Sequence, residues 1–173
     1  RDGREEAIGY YIDHQRVHVT ADTLAADLAY QAWRRDTQDG HASVMLAPTL
    51  DTVRELNERA RADRLAGIDP RLRGPEVALS DGLAASVGDI ISTRSNRRDL
   101  RLSATDWVRN GDRWRVTHIG ADGTLTAQHL DLNRHVQLPA DYVAEHTTLG
   151  YASTIHAAQG MTADTCHVIG SDA

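Results

Sequence analysis

Lysine is missing from this 173-residue chain, and so is phenylalanine. All 19 basic residues are arginines, and the wealth of Ala, Arg, Gly and Asp reads as a GC-rich coding bias. The missing lysine has a mechanistic consequence. A phosphate-binding P-loop, Gly-x-x-x-x-Gly-Lys, needs its lysine on the outer phosphates, so this chain does not hold one. There is a single cysteine, Cys166. It excludes an intramolecular disulfide and fits the reducing cytoplasm. Lying in an apolar run, it reads as an inert buried thiol rather than a nucleophile. No apolar stretch approaches a membrane span, and the charged opening Arg1 to Glu6 leads into no secretory apolar region. Gly-x-Ser-x-Gly does not occur, so Ser153 and His156 need no hydrolase role. Nine histidines are present, but His14 and His18 lack a glutamate beside the first, the rest are scattered, and no cysteine pair completes a zinc site. No metal is expected.

What is there suffices for a packed core: 40% hydrophobic residues, enough for one medium domain or a domain carrying a small insertion. The net charge of −6 is unfavourable for a free-standing DNA binder. Between Arg94 and Arg115, however, seven arginines face Asp99, Asp106 and Asp112, a local net of +4. That stretch is either a phosphate-tracking face or an ordinary solvated surface.

Residues 1–19 form a lead-in, with a helical turn at Ala7 to Ile12 and an extended piece at Arg16 to Val19. Thr20 is a plausible N-cap for a helix with an apolar face of Leu24, Ala25, Leu28, Ala29, Ala32 and Trp33. Ser43 to Ala47 is an uninterrupted apolar run, expected of a strand buried on both faces of a parallel sheet. Pro48-Thr49 stops it. Thr49 or Asp51 then caps a helix with Val53, Leu56 and Ala60 on one side, and Asn57 reads as a packing or hydrogen-bonding residue. Gly67 to Gly74, with Pro70 and Pro75, marks a change of character. From Val77 to Tyr142 the text turns β-like, with strands at 88–93, 113–119, 124–130 and 134–138. Asn110-Gly111-Asp112 and Ala121-Asp122-Gly123 are expected at tight hairpins. Short strands at close spacing suggest a small barrel.

Tyr151 to Ile169 places unusual polar residues between two apolar runs. Thr154, His156 and Gln159, at spacings of two and three, can be brought towards one side by a helical turn that Gly160 ends. Cys166 to Ile169 then reads as a short buried strand. Free N–H groups at such a turn suit phosphate oxygens. The bland alternative is a capped helix whose His156 and Gln159 merely satisfy backbone groups.

Thr154-Ile-His-Ala-Ala-Gln-Gly160, followed by Thr162-Ala-Asp-Thr165, resembles motif V of superfamily-1 DNA helicases. The nearest likeness is to RecD-like enzymes and the helicase part of TraA/TrwC-type conjugative relaxases. Where many relatives carry Glu two residues after the glycine, this chain has Thr162. Val44 to Arg61 resembles the segment opening the second motor domain of the same enzymes, apolar-Pro-Thr-x-x-x-Val-x-x-Leu-Asn. The pattern Gly88-Asp-Ile-Ile, Val108 to Val116, Leu138-Pro139 resembles their SH3-like insertion. The three likenesses fall in the family's order.

The resemblance implies an α/β fold, a partial RecA-like parallel-sheet domain interrupted by a small SH3-like β-barrel. The parts would be 20–76, an insertion at 77–142, and 143–173, with the later arginine-bearing motif VI not reached. It implies a motor-domain piece of an ATP-dependent helicase, working with a first RecA-like domain of the same polypeptide, on single-stranded DNA and away from membranes. Thr154, His156 and Thr49 would contact DNA. Gln159 and Gly160 would couple it to the nucleotide. ATP and Mg2+ would serve the parent, with none held tightly here. The rival expectation is a non-catalytic nucleic-acid or protein adaptor built on the barrel.

Overall fold

The computed structural model describes residues 22–159, 161 and 163–169. Thr20, His14, His18, Gly160 and Thr162, with the readings attached to them and to the lead-in, lie outside the described residues. The chain divides into two compact units. One comprises the chain up to Asn57 together with the stretch from Tyr151; the other is Glu58–Gly150.

The first unit is built on three parallel strands in the order β11-β1-β12: β1 (Ser43–Ala47) at the centre, β11 (Ala152–Thr154) and β12 (Thr165–Val168) beside it. Every residue of β1 is buried, as its unbroken apolar run predicts. Val44 and Leu46 pack with Ala158, Met161, Ala163, Cys166 and Val168. Helix α1 (Asp22–Gln38) buries Ala25, Ala29, Tyr30 and Trp33. Trp33 donates its indole N–H to the Ser43 carbonyl at 3.2 Å and meets the Tyr151 ring edge-on at 5.8 Å. The expected apolar face was rotated too far. Leu24 and Leu28 are 52% and 39% exposed, because the two aromatic rings, not the leucines, fill the space beside the strands.

Helix α2 (Leu50–Ala66) follows β1 and carries the chain from one unit into the other. Its Leu56 and Ala60 are buried as expected. Asn57, 1% exposed, accepts from the Ala152 N–H at 2.8 Å and donates to the Ala152 carbonyl at 3.4 Å. Its amide stands in for a neighbouring strand along β11, satisfying both groups of a buried peptide.

The second unit holds an antiparallel sheet in the order β10-β4-β7-β8-β9: β4 (Ile90–Thr93), β7 (Arg113–Ile119), β8 (Leu125–His129), β9 (His135–Leu138) and β10 (Thr147–Leu149). Two ribbons accompany it: β2 (Val77–Ala78) with β3 (Ala84–Ala85), and β5 (Arg97–Arg101) with β6 (Trp107–Val108). Alternation along β7 puts Trp114 and Val116 inside, then breaks at a bulge that leaves Thr117 and His118 both exposed before Ile119 turns in. Gly120 to Thr124 is a hairpin closed by Gly120 N–H to Thr124 O at 2.8 Å, with Gly123 at φ +87 after the turn, the three-residue pattern. Asn110-Gly111-Asp112 is a turn with Gly111 at φ +93, but it joins β6 to β7, which do not pair; the hairpin expected there is absent.

The unit also runs past residue 142. Helix α3 (Ala140–His146) leads straight into β10, which pairs with β4, so 143–150 belongs with the antiparallel sheet rather than with the parallel one. Gly150 ends this passage against the backbone of Ile91, where a Cβ would lie 2.8 Å from the carbonyl carbon.

At the start of the unit, Asp89 is fully buried. It accepts from Arg61 Nε at 2.9 Å, Arg64 Nε at 3.0 Å and Ser86 N–H at 2.8 Å. Burial works against the charge of Arg61, but its bonds to Asp89 and Glu76 raise its pKa. The second half of α2 is thereby clamped to the residues that open β4.

Candidate functional site at the carboxyl edge of the parallel sheet

Ala47 and Thr154 are register partners at the ends of β1 and β11, so both strands release their chains at one edge. In open α/β sheets this carboxyl edge is where ligands bind. At each strand end a threonine starts a helical turn, Thr49 two residues beyond β1 and Thr154 as the last residue of β11. Thr49 accepts from the Thr52 N–H at 3.3 Å, lies 3.0 Å from the Thr52 hydroxyl, and its carbonyl takes the Val53 N–H at 3.1 Å. Thr154 accepts from the Ala157 N–H at 3.1 Å, and its carbonyl takes the Ala158 N–H at 3.0 Å. Both are N-caps, so the cap before α2 is Thr49 and not Asp51.

The turn after Thr154 sorts its side chains by helical spacing. Ile155 and Ala158 face the core; His156 and Gln159 are exposed. Neither His156 nor Gln159 has a hydrogen bond to another described residue. The cap of this turn is supplied by Thr154, and among the described residues His156 and Gln159 make no bond to the backbone. Thr49, Thr154, His156 and Gln159 thus belong to one edge.

Cys166 is buried, and burial pushes its thiol up to about 11, which leaves no thiolate at neutral pH. On β12, His167 Nε2 lies 2.6 Å from Asp36 Oδ2, which also accepts from the Thr165 hydroxyl at 2.8 Å. Burial raises the Asp36 carboxyl, yet these two partners bring it below its ordinary range. Among the described residues no group of three or more His, Cys, Asp or Glu is placed to hold a metal, and no helix is long and apolar enough to cross a membrane.

The arginine-rich stretch divides sharply. Arg113 is buried, donating to the Gly150 carbonyl at 2.9 Å. Arg97 pairs with Asp99 at 2.8 Å and Arg109 with Asp106 at 3.3 Å. Arg98 and Arg101 are exposed with no carboxylate beside them among the described residues. Arg98 and Arg109 lie over the Trp107 ring, at 5.0 and 4.2 Å from its centroid. Sequence reasoning missed this stack. Arg109 two residues beyond Trp107 was a legible signal, but Arg98 joins only through strand pairing.

Comparison with known proteins bears on the antiparallel unit. Residues 77–148 match the Rv2311 SH3-like barrel domain. The molecule is therefore mixed α/β, with a parallel sheet and an SH3-like barrel domain that falls in sequence between β1 and β11. Two uncharacterized proteins of Mycobacterium tuberculosis, Rv2311 of strain H37Rv and MT2373 of strain CDC 1551, are each 38% identical over 104 residues. That match covers 60% of this chain and 56% of theirs. Among solved structures, Bacteroides sp. Pif1 in complex with ADP-AlF4 aligns over 99% of this chain and 44% of its own, at 17% identity and TM-score 0.48. The Candida albicans Pif1 helicase aligns over 97% and 47%, at 17% and 0.49. Likeness at this level carries no argument about activity.

Proposed function

We propose that this chain is part of the second motor domain of a superfamily-1 DNA helicase, of the RecD-like, conjugative-relaxase kind. The observation that supports this reading is the outward placement of His156 and Gln159 on a turn whose capping is already done by Thr154. That edge also carries Thr49, from the other segment with helicase likeness. In this reading Thr49, Thr154 and His156 hold the backbone of single-stranded DNA. Two helical turns with N–H groups at their starts suit phosphate oxygens.

The nucleotide is a different matter. The two hydroxyls, of Thr49 and Thr154, already accept cap bonds, and the chain has no lysine. These residues do not make a triphosphate cradle. ATP and Mg2+ belong to the partner domain of the parent, and Gln159 with Gly160 would reach that nucleotide only when the two domains close.

The test is a titration of the chain with fluorescent oligonucleotides. Single strands should bind weakly, more tightly than duplex, with affinity falling as salt rises, because few phosphates are neutralised. His156→Ala should weaken binding with an unchanged melting temperature. Equal affinity for the variant, or a melting point lowered in step with affinity, refutes the assignment of His156. No ATP turnover above a buffer control is expected from the chain alone.

A further inference from the structure

The Arg98–Trp107–Arg109 stack is built on the β5–β6 ribbon and the residue that follows it. Trp107 is half-buried, whereas the other two tryptophans, Trp33 and Trp114, are 7% and 0% exposed. Arg109 covers one part of the ring and is tied to Asp106; Arg98 lies over the same ring and is itself exposed. A guanidinium resting on an indole is held in place by the ring quadrupole, so its ordering cost is met before a ligand arrives. It keeps two recognition elements: an open planar face, and an edge of N–H donors that fits phosphate oxygens. Arg101, exposed, paired in register with Trp107 and donating to the Ala104 carbonyl at 3.0 Å, adds a second charge with no carboxylate partner among the described residues.

From this arrangement we infer that the ribbon is a second single-strand contact, in which Arg98 stacks a base on its open face and holds a backbone phosphate with its edge. An acidic peptide would satisfy the donors but leave the planar face without a partner; a nucleotide uses both, since bases stack on arginine planes as they do on aromatic rings. The inference rests on the reading that this chain handles single-stranded nucleic acid. It concerns a surface distinct in sequence and unit from Thr154 and His156.

The experiment follows Trp107 emission, the one half-exposed indole, while the whole chain is titrated with short oligothymidylate at low salt. Binding should change the emission. Arg98→Ala, an exposed position, should keep the melting temperature, lower affinity on the order of tenfold and reduce the salt slope by about one. Arg98→Lys keeps the charge without the plane, so it should keep the slope yet still lose affinity. Wild-type affinity in Arg98→Lys overturns the stacking inference, as does displacement of the oligonucleotide by polyglutamate at matched charge, or no binding at all. His156→Ala separates the two surfaces. If it weakens binding while Arg98→Ala does not, the ribbon inference fails and the sheet-edge reading stands. The reverse outcome supports the ribbon and removes the sheet edge.

Discussion

The parallel unit and the barrel unit solve the same problem, polar groups inside a small core, with different chemistry. The parallel unit uses neutral amides and hydroxyls inside, Asn57 on Ala152 and Thr165 on Ser43, and threonines, Thr49 and Thr154, on its outer turns. The barrel unit uses charge: Asp89 between Arg61 and Arg64, and Arg113 on the Gly150 carbonyl. The difference teaches where function is affordable. Neutral caps leave His156 and Gln159 without a hydrogen bond to the described residues, whereas most of the arginines that looked like a phosphate-tracking face are committed to carboxylates and carbonyls.

The contrast is sharpened first at Asp89. Asp89→Ala leaves two arginines facing a void and should destabilise the barrel unit by about 3–5 kcal/mol, read as a lower urea midpoint. A change below about 1 kcal/mol would mean that water takes over the carboxylate's place and that charge is not what holds α2 to the barrel. Gly150→Ala comes next. Its Cβ would press on the Ile91 backbone, which cannot swing away like a side chain, at a cost of about 1–3 kcal/mol. Asn57→Ala should cost about 1–2 kcal/mol by orphaning the Ala152 peptide, and Asn57→Asp should not restore it, because a carboxylate cannot donate to the carbonyl.

Asp36 gives a smaller, pH-dependent effect. Its folded pKa lies below the ordinary 3.8, so its contribution is present above that value and is lost as pH falls through the folded one. Asp36→Asn should therefore narrow the stability gap to the parent chain on acidification below about pH 4. A gap that is constant with pH would show that packing, not the His167 pair, is what the carboxylate provides. Least of all should Asp99→Ala matter. Arg97 holds that carboxyl down to about 2, but the pair is exposed and screened, so no shift in melting temperature is expected.

Much of this was legible in the sequence where local chemistry decides. The β1 run, the helix after Pro48-Thr49 and the Gly123 hairpin each followed from spacing and turn residues. Tertiary packing decided the rest. Leu24 and Leu28 have helical spacing that fits a core, but Tyr30 and Trp33 occupy it. Leu149 and Thr147 read as part of the last segment, yet pair with β4, 55 positions or so earlier, a partnership no local pattern encodes. The Asp89 clamp joins residues 25 and 28 apart that look like ordinary surface charges. At the site, Thr154, His156 and Gln159 were legible as a group. That Thr154 caps the turn was not, since the bland reading gave the backbone work to His156 and Gln159.

The most direct test is an amide-shift map of the whole chain with and without oligothymidylate at low salt. The account predicts shifts at Thr49 to Thr52 and at Thr154 to Gln159, reversed by added salt, whatever changes occur in the barrel. Shifts confined to Glu58–Gly150, with Thr49 and Thr154 to Gln159 unmoved at saturation, would contradict it.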